Sequence, residues 1–121
     1  MRTEVAVVML GDVTLGCVPG EIYPELVNGG VESPPGGDFP GAPVEVPPIR
    51  EFLPGKTKFI VGLANDEIGY IIPKTEWDRE KPHLYNSAKA PYGEINSVGP
   101  DTARLIHQAM RELSTSLRPP P

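Results

Sequence analysis

Apolar and polar positions in the first part of the chain fall into short runs rather than helical stripes. Val5 to Leu10 and Val13 to Val18 are two strand-like runs separated by Gly11-Asp12. Two turn-formers between apolar runs predict a β-hairpin, because glycine reaches the positive φ of a tight turn without steric cost. Pro19-Gly20 stops the second run. Thr57 to Leu63 is the best single strand, apolar on both faces and therefore expected in the interior of a sheet. Ile71-Ile72-Pro73 reads as a short extended piece. Thr75-Glu76-Trp77-Asp78 reads as a short helix, with a capping threonine and an acid three residues on. Ala103, Ile106, Ala109, Met110, Leu113 and Leu117 recur at three- and four-residue steps, one apolar stripe of an amphipathic helix. Pro100 fits its first turn and Asp101 complements its dipole.

Between these elements the pattern breaks. Residues 29–55 hold seven prolines (34, 35, 40, 43, 47, 48 and 54) and paired glycines at 29–30 and 36–37. Proline removes backbone donors and glycine costs backbone entropy, so an extended surface excursion over 29–56 is expected, with one helical turn at Ile49 to Leu53. Residues 79–98 are turn-rich, broken by Pro82, Pro91 and Gly93. The fold class that follows is α/β: a mixed sheet with a hairpin, one buried strand and a C-terminal amphipathic helix. A strand buried on both faces needs a layer above and below, and one long helix cannot supply both. The expectation is therefore a portion of a larger α/β domain spanning residues 1–118, with 119–121 as a tail.

Composition narrows the function classes. The chain has 121 residues, enough for one domain that buries about two-thirds of its unfolded surface. A net charge of -5 and a pI near 5.0 argue against nucleic acid, which asks for a basic stripe. The longest apolar run, Val5 to Leu10, is far below the ~20 residues a membrane span needs. Glu4 before that run and Gly11-Asp12 after it mark a strand rather than a signal peptide. The lone Cys17 excludes an internal disulfide and a Cys-rich metal knuckle.

Candidate chemistry lies at two polar tips that follow the strand-like runs. The first is Pro19-Gly20-Glu21; the second is Ala64-Asn65-Asp66-Glu67-Ile68-Gly69-Tyr70. Ligands gather outside the carboxyl ends of strands in open α/β sheets, where side chains are rigidly held yet face solvent. Glu21 and Tyr70 placed this way bring a carboxylate and a phenol to one site, two oxygen donors for a Lewis-acidic metal. Against this, Glu21 taken alone also reads as a solvated turn acid and Tyr70 as a core tyrosine with a satisfied hydroxyl, but the second motif and the preceding Gly69 favour the site reading. Asn65 and Asp66 are either turn formers or groups that orient a metal ligand. His83 and His107 lie in no metal-ligand spacing and are expected at the surface or its boundary. Cys17 is expected as a small buried hydrophobe, Trp77 as a packing residue and Met110 as core.

Taken in order, these motifs resemble the C-terminal part of the catalytic domain of the neutral/alkaline, non-lysosomal ceramidase family. The resemblance runs from Glu4 to Leu113. It is carried by the hairpin entering Pro19-Gly20-Glu21, by Gly62-Leu63-Ala64-Asn65-Asp66-Glu67-Ile68-Gly69-Tyr70, by Tyr85 and Tyr92-Gly93, and by Gly99-Pro100-Asp101-Thr102. It implies a zinc-dependent amidohydrolase that cleaves the N-acyl bond of ceramide-like lipids, with Glu21 and Tyr70 as two of the zinc ligands. The family's two histidine ligands and its catalytic serine lie upstream of the matching part, and no catalytic residue is assigned within this chain. The span from Glu21 to Tyr70 exceeds the family's, and the Pro/Gly stretch stands where the family carries a helix. The resemblance implies an acylated lipid as substrate, and relatives are often secreted or membrane-associated. Two oxygen ligands fall short of the three protein ligands of a catalytic zinc, so inactivity of these residues alone is expected. The competing readings are a small non-catalytic α/β interaction module and a same-family hydrolase with another acylated substrate; the sequence leaves the oligomeric state open.

Overall fold

The structure, a computed structural model, describes residues 2–117. Strands β1 (Ala6–Leu10) and β2 (Val13–Cys17) form the expected antiparallel hairpin about Gly11, whose φ of 61° is the left-handed value the tight turn demands. Strand β4 (Thr57–Val61) adds to β2 in parallel, which gives a mixed sheet in the order β1-β2-β4. A second, two-stranded parallel sheet follows, made of β3 (Glu21–Ile22) and β5 (Tyr70–Ile71). The helices are α1 (Pro24–Asn28), α2 (Ile49–Phe52), α3 (Tyr92–Ile95) and α4 (Thr102–Ser116). This is the small α/β architecture with a hairpin, mixed sheet and C-terminal helix that the patterning predicts.

The core lies on one face of the three-stranded sheet. Val18, Leu26, Ile49, Phe52, Leu53, Ile71, Ala103, Ile106 and Met110 form one buried cluster, with Val7 and Ile60 packed against it. Gly16 sits in the middle of that face because there is no room for more. A Cβ there would lie 2.8 Å from Met110 Cε and 2.9 Å from Ile60 Cδ1. The stripe on α4 is rotated from its expected position. Thr102, Ala103, Ile106, His107, Met110 and Ser114 are buried, whereas Leu113 and Leu117 are exposed.

Strand β4 corrects the expectation of an interior strand buried on both faces. It lies at the sheet edge, and its residues alternate between exposed and half-buried. Register places Val8, Leu15 and Phe59 in one row and Ala6, Cys17 and Val61 in the next, on the face turned away from the helices. Phe59 is 53% exposed, Val8 42% and Val61 41%, so this is an apolar face open to solvent. Cys17, expected as buried, is only half-buried on that face.

The proline-rich segment is also less external than expected. Its second half turns inward: Glu45 and Ile49 are each 1% exposed, and α2 packs on α1 and α4. Both histidines are buried rather than superficial. The His107 ring lies edge-on to Phe52, and its Nε2 donates to the Pro47 carbonyl at 2.7 Å. His83 is buried beside Asp78. Trp77 is buried as expected. The short helix expected at Thr75 is a 3-10 turn over Lys74–Glu76, and its cap makes no side-chain hydrogen bond. Among the described residues no helix is long and apolar enough to cross a membrane. The tail at 119–121 lies outside the described residues.

Candidate functional site

Glu21 and Tyr70 are partners across the parallel β3–β5 ladder. The chain reaches this arrangement through a continuous run of backbone bonds. Val18 N–H donates to Val61 O, Leu63 N–H to Gly20 O, Glu21 N–H to Gly69 O, and Tyr23 N–H to Ile71 O. Ala64 N–H still donates to Val18 O, and residues 65–67 then loop out before Ile68 N–H donates to Pro19 O, with Leu63 and Asn65 in the left-handed region at φ of 53° and 69°. Tyr70 therefore does not end β4, as its position after that run suggested. It opens a strand of its own beyond a loop.

Close backbone approach fixes the register. A Cβ on Gly20 would lie 2.3 Å from Gly69 O, and one on Gly69 would lie 1.8 Å from Asn96 O. Gly69 also has a φ of +87°. Tyr70 N–H then donates to Asn96 O at 3.0 Å, tying β5 to the end of α3 on its other side. Only glycine permits three backbones to converge in this way.

The side chains meet as well. The Glu21 carboxylate beside the Tyr70 hydroxyl favours the protonated phenol, which, with some burial, raises the Tyr70 pKa above that of an ordinary tyrosine. Two further rings hold Tyr70 in place. Tyr23 approaches it edge-on at 6.4 Å between centroids, and Tyr92 at 5.8 Å. Gly93 makes space for Tyr23, since a Cβ there would lie 2.8 Å from the Tyr23 hydroxyl. Burial first, and the charge of Glu94 second, raise the Tyr23 pKa. Glu21 itself is exposed, so its carboxylate is open to a ligand from solvent.

Asn65 and Asp66 are engaged elsewhere. Asn65 Nδ2 donates to Glu4 Oε1 at 3.2 Å, and Asp66 Oδ2 accepts from Thr3 Oγ1 at 2.7 Å. These bonds clasp the N-terminal segment, which suits turn formers. Tyr23 was missed by sequence reasoning, although it lies two residues beyond Glu21 and so shares its strand face. Also missed were Glu76, Asp78 and Glu94, which cluster beside Tyr23 from distant parts of the chain.

Among the described residues no three histidine, cysteine, aspartate or glutamate side chains converge as a metal cage. Glu21 and Tyr70 fit two positions of a zinc site by donor type: an anionic oxygen and a phenol that becomes anionic on losing its proton. No family model, no curated protein and no solved structure matches this chain.

Proposed function

We propose that Glu21 and Tyr70 are two ligands of a zinc ion in a hydrolase that cleaves the N-acyl bond of ceramide-like lipids. The observation that supports this reading is their pairing across the β3–β5 ladder, which brings the phenol and the carboxylate side by side. A bound zinc would supply Lewis acidity to an acyl carbonyl and to a water molecule. The protein's own residues have separate tasks. Glu21 contributes a fixed negative charge; Tyr70 gives up its proton to become a stronger donor; Tyr23 and Tyr92 keep the Tyr70 ring from turning. The remaining ligands must come from other polypeptide, in keeping with an apolar sheet face that stands open to receive a further layer.

The same open face also favours the second reading, a non-catalytic interaction module, and one pair of measurements separates the two. Calorimetric titration with zinc should show saturable binding that depends on Glu21. Fatty-acid release from an N-acyl sphingoid lipid should become zinc-dependent once histidine ligands are supplied by a completing polypeptide. Zinc binding indifferent to Glu21 would leave the module as the better account.

A further inference from the structure

A cavity of about 320 Å³ opens beside the tyrosine cluster, lined among others by Tyr23, Glu76, Asp78, Leu84, Tyr85 and Glu94. Four carboxylates line it, the fourth being Glu32, and no lysine or arginine does. Its size is at the lower end of small-molecule sites, roughly 300–1,000 Å³.

Glu94 is the informative member. It is 3% exposed, and its Oε1 accepts the Asp78 N–H at 3.3 Å while its buried Oε2 has no hydrogen-bond partner. Asp78 repeats the pattern: Oδ2 accepts the Leu84 N–H at 3.0 Å, and the buried Oδ1 has no partner. Its nearest basic atom, His83 Nδ1, is 3.9 Å away, too far for a hydrogen bond. A buried carboxylate oxygen without a donor is costly, and a cation carrying N–H groups relieves that cost. A metal ion is the poorer fit, because the carboxylates do not converge on a common point. Aromatic rings complete the surface. Tyr23 forms part of the wall, and Tyr85 stands 88% exposed, held at a φ of 58°. Such rings attract organic cations through their faces and cover an attached alkyl chain.

We propose that this cavity binds the primary ammonium group of a small organic amine, with Glu94 accepting its N–H and the tyrosines flanking its carbon chain. The proposal does not rest on the zinc reading, since Glu21 is not among the lining residues.

The test is titration of the protein with n-butylammonium near neutral pH and constant ionic strength, read by amide NMR shifts and calorimetry. Tetramethylammonium, magnesium and calcium are titrated in parallel. The expected result is saturable butylammonium binding with shifts centred on Glu76, Asp78 and Glu94. Glu94→Gln should weaken it by about tenfold or more, the worth of one charge-assisted hydrogen bond. Glu67→Gln, which removes an exposed charge elsewhere, should leave it unchanged. If Glu94→Gln fails to fold, Glu76→Gln serves in its place, because Glu76 Oε1 holds only the Glu32 N–H at the cavity rim. Four results would each overturn the proposal: no saturation, equal affinity in the cavity variants, tetramethylammonium binding as tightly as the primary amine, or a preference for the divalent metals.

Discussion

Gly69 lies against the carbonyl of Asn96 so closely that a side chain on it would occupy the same space as the oxygen. The backbone there also holds a φ of +87°. These two facts make one residue the keystone of the register that pairs Glu21 with Tyr70. Gly69→Ala should therefore destabilise the protein on the order of 3 kcal/mol, combining left-handed strain with a backbone clash. Chemical denaturation compares the variants. Gly30→Ala is the matched control: its φ of +96° carries the same strain, but open space surrounds it. A loss no larger at Gly69 than at Gly30 would show that the clash relaxes and the register is held by other means.

The contact between Glu21 and Tyr70 sets a second expectation. Glu21→Ala removes the charged donor and should abolish measurable zinc uptake. Tyr70→Phe should weaken it less, since the phenol must first lose a proton that the neighbouring Glu21 carboxylate favours keeping. Bound zinc removes that proton, so titration should release acid from the wild type and less from Tyr70→Phe. The check is calorimetry in two buffers of different ionisation enthalpy. Equal proton release from both proteins would remove Tyr70 from the ligand set.

How much of this was legible in the sequence depends on how local the cause is. The hairpin was, because Gly11-Asp12 and its flanking runs settle it within a dozen residues. The long helix was also legible, but its rotation was not. His107 is buried by Phe52 and the Pro47 carbonyl, partners some 55 to 60 positions away that no periodicity reports. The strand at Thr57 misled for a different reason. Phe59 and Val61 are apolar without being covered, so hydrophobicity marked a face that these residues leave open. Glu21 and Tyr70 could be picked out because each follows a strand-like run. The acids around Tyr23 could not, since Asp78 and Glu94 meet only through the fold of a turn-rich stretch with no regular pattern.

That open face makes a third prediction. Val8, Leu15 and Phe59 form one apolar row across three strands, and the neighbouring row ends in Val61. Exposed apolar patches of this kind bind hydrophobic dyes or further copies of themselves. The protein should do one or both, and Phe59→Lys together with Val8→Lys should suppress it. Stability should change by only about 0.5 kcal/mol per site, as both positions face solvent. Dye fluorescence and sedimentation at several concentrations supply the readout. A monomer that ignores the dye before any substitution would show the face to be covered in solution.

The last prediction follows from buried acids. Burial raises the pKa of Glu94, outweighing the backbone N–H bonds that pull it down, and the charges of Asp78 and Asp38 add to the rise. Burial raises Glu76 in the same way. A raised native value means that the folded state holds these protons more tightly than the unfolded chain does. Stability should then fall as pH climbs from the unfolded glutamate value, about 4.3, to the raised native values, and level off above them. Glu94→Gln imitates the protonated acid and keeps an oxygen for the Asp78 N–H. It should match wild type at the acid end of that window and exceed it at neutral pH, where the wild-type carboxylate is charged and lacks a donor on Oε2. Urea midpoints measured across the window decide the matter. A constant offset between the two proteins at every pH would mean that Glu94 does not titrate with folding. A saturating primary amine should narrow the neutral-pH gap, because it supplies the charged wild-type carboxylate with the partner that the glutamine variant no longer needs.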